Sequence, residues 1–141
     1  MHFRRRAYGY VTRIKNGARQ VLVFRQNDEE AGIQFPGGGI EPHETPAEGM
    51  KREMIEETGL KDFIIERELA ADQWDHPQED LHIERHFFWL SVANAPDTWD
   101  HLVTGKGEDN GMAYHYFWVN SPTEVPFTWG EADYLHLVFD T

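Results

Sequence analysis

Cysteine is absent from the 141-residue chain. That excludes a disulfide framework, a zinc–thiolate site and a cysteine nucleophile. Basic residues are scarce, 13 Lys and Arg against 25 Asp and Glu, for a formal charge of -12. A duplex nucleic acid is not expected as a partner, because holding a polyphosphate backbone takes a surplus of cations. A small phosphorylated ligand is compatible with that charge if metal cations neutralise it. No run approaches the roughly 20 apolar residues of a membrane span, and no apolar stretch of the signal-peptide kind follows Arg4, Arg5 and Arg6. Repeats, low-complexity tracts and linkers are also missing. These absences predict one soluble, cytoplasmic domain over residues 1–141 with no membrane partner. What is present is a core: 40% of residues are apolar and 13% aromatic, which rules out a disordered chain.

Ala7 to Arg13 and Gln20 to Arg25 are rich in β-branched and aromatic residues, with Asn16-Gly17 between them, a strong hairpin signal. Phe35-Pro36-Gly37-Gly38-Gly39 is expected to interrupt regular structure. The best helix spans Pro46 to Thr58. Thr45 and Glu48 make a capping box, Pro46 takes the first helical position, and Gly59 stands where a glycine C-cap belongs. Ala47, Met50 and Met54 form its expected apolar stripe. Phe63 to Leu69, Ile83 to Val92 and Tyr114 to Val119 read as strands, with His86, Phe88, Leu90 and Val92 on one face of the second. Glu131 to Phe139 reads as a closing helix that buries Leu135 and Val138. This order predicts an α/β sandwich around a mixed sheet.

The helix concentrates negative charge. At about 100° per residue, Glu53, Glu56 and Glu57 fall within roughly one 100° arc. Three carboxylates so close repel one another, and an oxygen-seeking divalent cation resolves that repulsion. Arg52, at i,i+4 to Glu56, can hold that carboxylate. A solvated acidic face is the ordinary account of such a helix. The loop before it argues otherwise, because Gly37, Gly38 and Gly39 let the backbone approach a ligand or metal closely.

Gly38, Glu44, and then Arg52-Glu53-Met54-Ile55-Glu56-Glu57-Thr58-Gly59-Leu60 match every defined position of the Nudix box, and on this motif the chain resembles the Nudix hydrolase family. The resemblance implies an α/β/α sandwich that cleaves a diphosphate bond in a nucleoside diphosphate derivative with Mg²⁺ or Mn²⁺. It implies that the Gly38 carbonyl, Glu53, Glu56 and Glu57 form the metal shell. Glu53 is then the base candidate inside the box, Arg52 its orienting residue, and Glu44 a brace for the loop or an indirect contact of the metal. His43 departs from the glycine that many members carry there. Independently of the family, in-line attack of water on a diphosphate needs mainly positioning and charge stabilisation, with a carboxylate to take a proton.

A second acidic glycine-rich loop runs from Gly105 to Gly111. It is either a plain turn or the source of a late-loop glutamate, Glu108, acting as base or ligand, with Lys106 on a phosphate. Arg25 is another phosphate candidate, although a surface strand arginine is its ordinary account. Trp74, Trp99 and Trp129 are candidates for base stacking, although most tryptophans are partly buried core. His82, Glu84 and His86 have strand spacing, which does not fit the helical zinc signature. Pro77 does not fall at a convincing offset for an ADP-ribose hydrolase, and no tyrosine occurs between Leu60 and Tyr114, against a dinucleoside polyphosphate. The expected substrate is a nucleoside triphosphate or a compact nucleotide conjugate, and a homodimer is the expected assembly if one forms. The alternative is a nucleotide-sensing module without catalysis, disfavoured because every box carboxylate is present. An isomerase of this fold typically needs a cysteine.

Overall fold

The computed structural model describes residues 2–27, 32–105, 110–121, 127 and 130–139. Its elements are β1 (His2–Lys15), β2 (Ala18–Arg25), β3 (Ile33–Gln34), β4 (Gly37–Gly39), α1 (Pro46–Thr58), β5 (Phe63–Asp75), β6 (Leu81–Val92), β7 (Trp99–Leu102), β8 (Ala113–Val119) and α2 (His136–Phe139). The sheet order is β5-β6-β1-β2-β8-β7, with β3 against β2 and β4 against β1. The long β1–β6 pairing is parallel and the others antiparallel, so the sheet is mixed.

Local chemistry explains the first hairpin and the helix. Asn16 (φ 52°) and Gly17 (φ 80°) both take the left-handed region that a two-residue primed turn needs. Thr45 Oγ1 accepts from Glu48 N at 3.2 Å while Glu48 returns to Thr45 N at 2.8 Å, closing the capping box. Gly59, in the left-handed conformation, ends the helix.

Two cores flank the sheet. Met50 and Met54 of α1 pack with Ala7, Val11, Leu22, Phe24, Phe88 and Leu90 on one face. Tyr8, Tyr10, Val21, Val23 and Phe87 on the other face meet Leu135 and Val138. Alternation along β1 and β2 thus decides which side chains reach α1. Because β6 lies inside the sheet, both of its faces are covered, with Phe87 and Phe88 each buried on opposite sides.

Several expectations need correction. Gly37–Gly39 does not interrupt the sheet but joins it as β4, with Tyr8↔Gly37 and Ala7↔Gly38 in register. A Cβ on Gly37 would lie 2.2 Å from Ala7 O, so only glycine permits this pairing. Ala47 is exposed, and the buried face of α1 starts at Gly49 and Met50. The strand expected to end at Leu69 runs on to Asp75 through two irregularities, paired with β6 over almost its whole length. The closing helix shrinks to His136–Phe139. Gly130 O accepts from both Arg85 Nη1 and Asp133 N, Glu131 O accepts from the Tyr10 hydroxyl, and the segment turns by i→i+3 bonds.

Candidate active site

Strand β4 and helix α1 bring the box residues together. Glu53 packs directly on Gly38, where a Cβ would lie 2.5 Å from Oε2. Glu57 is 3% exposed and accepts from Gly37 N at 3.3 Å. The Glu53 and Glu57 carboxyl groups are themselves in hydrogen-bonding contact. Burial pushes the Glu53 carboxyl above its ordinary range, against the pull of Arg52. Glu56 lies under Gly105, where a Cβ would approach its carboxyl carbon to 2.5 Å.

Arg52 connects this cluster to the loop. Its Nη1 donates to Glu53 Oε1 (2.8 Å) and Glu56 Oε2 (3.2 Å), and Nη2 donates to Gly39 O (2.8 Å). Nε and Nη2 form a fork on Glu44 at 2.7 and 2.8 Å, and Glu44 Oε1 also accepts from Glu41 N at 2.9 Å. The guanidinium holds the Glu44 carboxyl down at about 2. Glu44 thus braces the loop rather than joining the carboxylate cluster.

The C-terminal end of α1 is secured from the far side of the chain. Glu56 O accepts from His101 Nε2 (3.0 Å) and Thr104 N (3.1 Å), Glu57 O from the Tyr116 hydroxyl (2.9 Å), and Thr58 O from Trp99 Nε1 (2.9 Å). Helix-end carbonyls that would otherwise lack partners are fixed in this way. Trp99 also stacks on Tyr116, which makes it a packing residue here.

One cleft of about 1050 Å³ is lined by Gly38, Glu53, Glu56 and Glu57 together with residues Phe3 to Arg6 of β1. Arg5 shares the strand face of Ala7, whereas the Arg6 guanidinium turns to the other face, over the Tyr8 ring. Gln26, Gln34 and Thr104 add polar groups to the cleft. The arginine run was visible in the sequence, but no motif marked it as part of a site. Only the β1–β4 pairing brings Arg5 to the cleft that holds the carboxylates. Arg25 is not brought in: it lies over the Phe117 ring, on the same face of β2 as Val21 and Val23, away from α1. Lys106, Glu108 and Trp129 lie outside the described residues. Trp74 is covered by Arg85, which is held by Asp72 and Asp133.

The donor set suits a hard divalent cation. Carboxylate oxygens in mutual contact beside a backbone carbonyl on a glycine strand are the ligands Mg²⁺ and Mn²⁺ prefer. Among the described residues no three acidic or histidine side chains already converge as a ligand cluster; Arg52 Nη1 bridges Glu53 and Glu56. His82 and His86 form no metal pair: their ring nitrogens contact Asp75 and Gln73, and Glu68 and Glu84.

The sequence matches the NUDIX domain over residues 3–135. An RNA pyrophosphohydrolase of Stutzerimonas stutzeri is 30% identical over 117 residues, covering 74% of this chain and 73% of the relative. An RNA pyrophosphohydrolase of Pseudomonas putida is 48% identical over 61 residues, and that match covers 43% of this chain and 38% of the relative's length. Among solved structures, the Nudix hydrolase RenU from M. smegmatis superposes with a TM-score of 0.70 at 16% identity, covering 99% of this chain and 86% of the other.

Proposed function

The chain belongs to the NUDIX domain family and is a pyrophosphohydrolase, and from that premise we propose that it hydrolyses a diphosphate bond in a nucleoside diphosphate derivative with Mg²⁺ or Mn²⁺. The substrate is a nucleoside triphosphate or a compact nucleotide conjugate. The observation that carries this reading is the meeting of Glu53 and Glu57 beneath Gly38, with Glu56 beside them, in a cleft that Arg5 of β1 also lines. Such a cleft accepts a cation at its carboxylates and a phosphate group at Arg5.

The Gly38 carbonyl, Glu53, Glu56 and Glu57 would hold the metal, which when bound neutralises charge on the diphosphate oxygens and makes water more acidic. Glu53 takes the proton of the attacking water, while Arg52 Nη1 keeps its carboxylate oriented. Water adds in line at one phosphorus and the bridging P–O bond breaks, leaving two phosphorylated products. Glu108 is the alternative proton acceptor. The main chain that leads to it, at Thr104 and Gly105, is fixed on Glu56, and Lys106 meets a phosphate in the same reading.

We take residues 1–141 as one cytoplasmic domain that acts alone or as a homodimer. Among the described residues no helix is long and apolar enough to cross a membrane. A nucleotide-sensing module without catalysis is the competing reading. The deciding experiment measures phosphate and nucleotide release from a panel of nucleoside triphosphates, nucleotide conjugates and RNA, the last included because of the relatives' activity. Turnover should need Mg²⁺ or Mn²⁺, stop with EDTA and resume when metal is restored. Turnover that survives complete metal removal sinks the mechanism, and tight nucleotide binding without turnover favours the sensing module.

A further inference from the structure

We propose that the first residues of β1 form the nucleoside subsite of this cleft, with Phe3 as a stacking platform for a nucleobase and Arg5 as a phosphate-binding fork beside it. The inference rests on the cleft being a nucleotide diphosphate site and assigns which end of the substrate lies where. Phe3 and Arg5 are two residues apart on one strand, so they share a face and stand about 7 Å apart. Their face is the one that Ala7 and Val11 present to α1 farther along β1. Both residues line the cleft.

Each is held by the neighbouring strand. The β1–β6 register sets Phe3 beside His82 and Arg5 beside Glu84. The Phe3 ring stacks on the His82 ring at 5.5 Å and 24°. That imidazole is in turn gripped at both nitrogens, by Asp75 Oδ1 and Gln73 Oε1, each at 2.6 Å. Phe3 nevertheless remains 59% exposed. A lone exposed phenylalanine is ordinary. One backed by an anchored ring at the mouth of a polar cleft offers its outer surface to a second flat partner.

Arg5 is held by a single nitrogen. Its Nε donates to Glu84 Oε2 at 3.0 Å. The same Glu84 oxygen contacts His86 Nε2 at 2.8 Å, and His86 Nδ1 contacts Glu68 Oε1 at 2.6 Å. Among the described residues the two terminal nitrogens of Arg5 make no hydrogen bond. A guanidinium oriented through Nε with both ends available matches the paired oxygens of a phosphate. The spacing from Arg5 to Phe3 then suits a phosphate and base joined through one ribose. It points the nucleoside away from the carboxylates and leaves the scissile diphosphate beside them.

Neither residue reads a base edge. A ring that stacks accepts any base, because every base has a π-face. The subsite therefore selects for a nucleoside but not among nucleosides.

The test is calorimetric binding, with Mg²⁺, of α,β-methylene analogues of ADP, GDP and UDP and of inorganic tripolyphosphate, which has no base. Phe3→Ala should weaken all three analogues about tenfold, the scale of one lost base–aromatic stack. Its effect on tripolyphosphate should be several-fold smaller, and Phe3→Trp should recover the nucleotide affinity. Arg5→Gln should weaken nucleotides and tripolyphosphate alike. Phe3→Ala binding every nucleotide as the wild type does, with an unchanged circular dichroism spectrum, overturns the subsite. So does a loss confined to a single base. Wild-type protein that binds nucleotides and hydrolyses none rejects the catalytic reading while leaving the subsite measurable, and wild-type protein that binds no nucleotide overturns both.

Discussion

Gly105 grips Glu56 from above. Its backbone lies so close that a Cβ would sit 2.5 Å from the Glu56 carboxyl carbon, and its φ is +105°. The preceding residue reaches the same glutamate, since Thr104 N donates to Glu56 O. Two adjacent residues thus fix both the main chain and the side chain of one proposed metal ligand.

Gly105→Ala should therefore act on both stability and chemistry. The positive φ costs a side chain about 1 kcal/mol, and the added methyl must displace the Glu56 carboxylate. We expect a lower Tm together with a kcat at least tenfold below wild type and a higher Mg²⁺ requirement. A variant with reduced Tm but wild-type kcat would show that Glu56 is held by Arg52 alone.

Glu53→Gln and Glu57→Gln separate charge from shape. Each keeps an oxygen acceptor, so Glu57→Gln can still take the hydrogen bond from Gly37 N. Each should cut kcat about 100-fold, the scale of a lost general base. Thermal melts should move little, or upward, because repulsion between touching carboxylates is relieved. Wild-type turnover in both variants would place the chemistry elsewhere.

Glu108→Gln, Asp109→Asn and the double variant test the loop that begins at Gly105. If Glu108 is base or ligand, kcat falls in Glu108→Gln with little change in melting, since a group kept for chemistry adds little to folding. Should kcat stay within about twofold in all three, the proton acceptor is inside the box, with Glu53 first.

Stability should carry a pH signature from a residue outside the site. Burial pushes the Glu131 carboxyl up to about 7, although it accepts from Phe35 N at 2.9 Å. Its folded value lies above the unfolded one, so folding disfavours the ionised form. The penalty is absent below the unfolded value near 4.5, grows as pH rises, and is complete above about 7. Glu131→Gln should therefore match wild type in urea unfolding at pH 4.5 and exceed it by about 2 kcal/mol at pH 8. An advantage that is equal at both pH values would mean that packing, not ionisation, sets the difference.

The sequence alone was enough for the helix and its carboxylates. Thr45, Glu48 and Gly59 act on backbone groups within four residues, and the arc shared by Glu53, Glu56 and Glu57 follows from helical pitch. Asn16 and Gly17 likewise carry their own turn. The tertiary structure decided what depends on a partner far along the chain. Gly37–Gly39 reads as a break because its strand bonds go to Arg6–Tyr8, about thirty residues earlier. Arg25 was a phosphate candidate from the sequence and Arg5 was not, yet alternation on paired strands turned Arg25 onto Phe117 and Arg5 into the cleft. The last segment has a helical apolar pattern, but Tyr10 and Arg85 bind the carbonyls of Glu131 and Gly130 from distant strands, and the chain there turns by i→i+3 bonds.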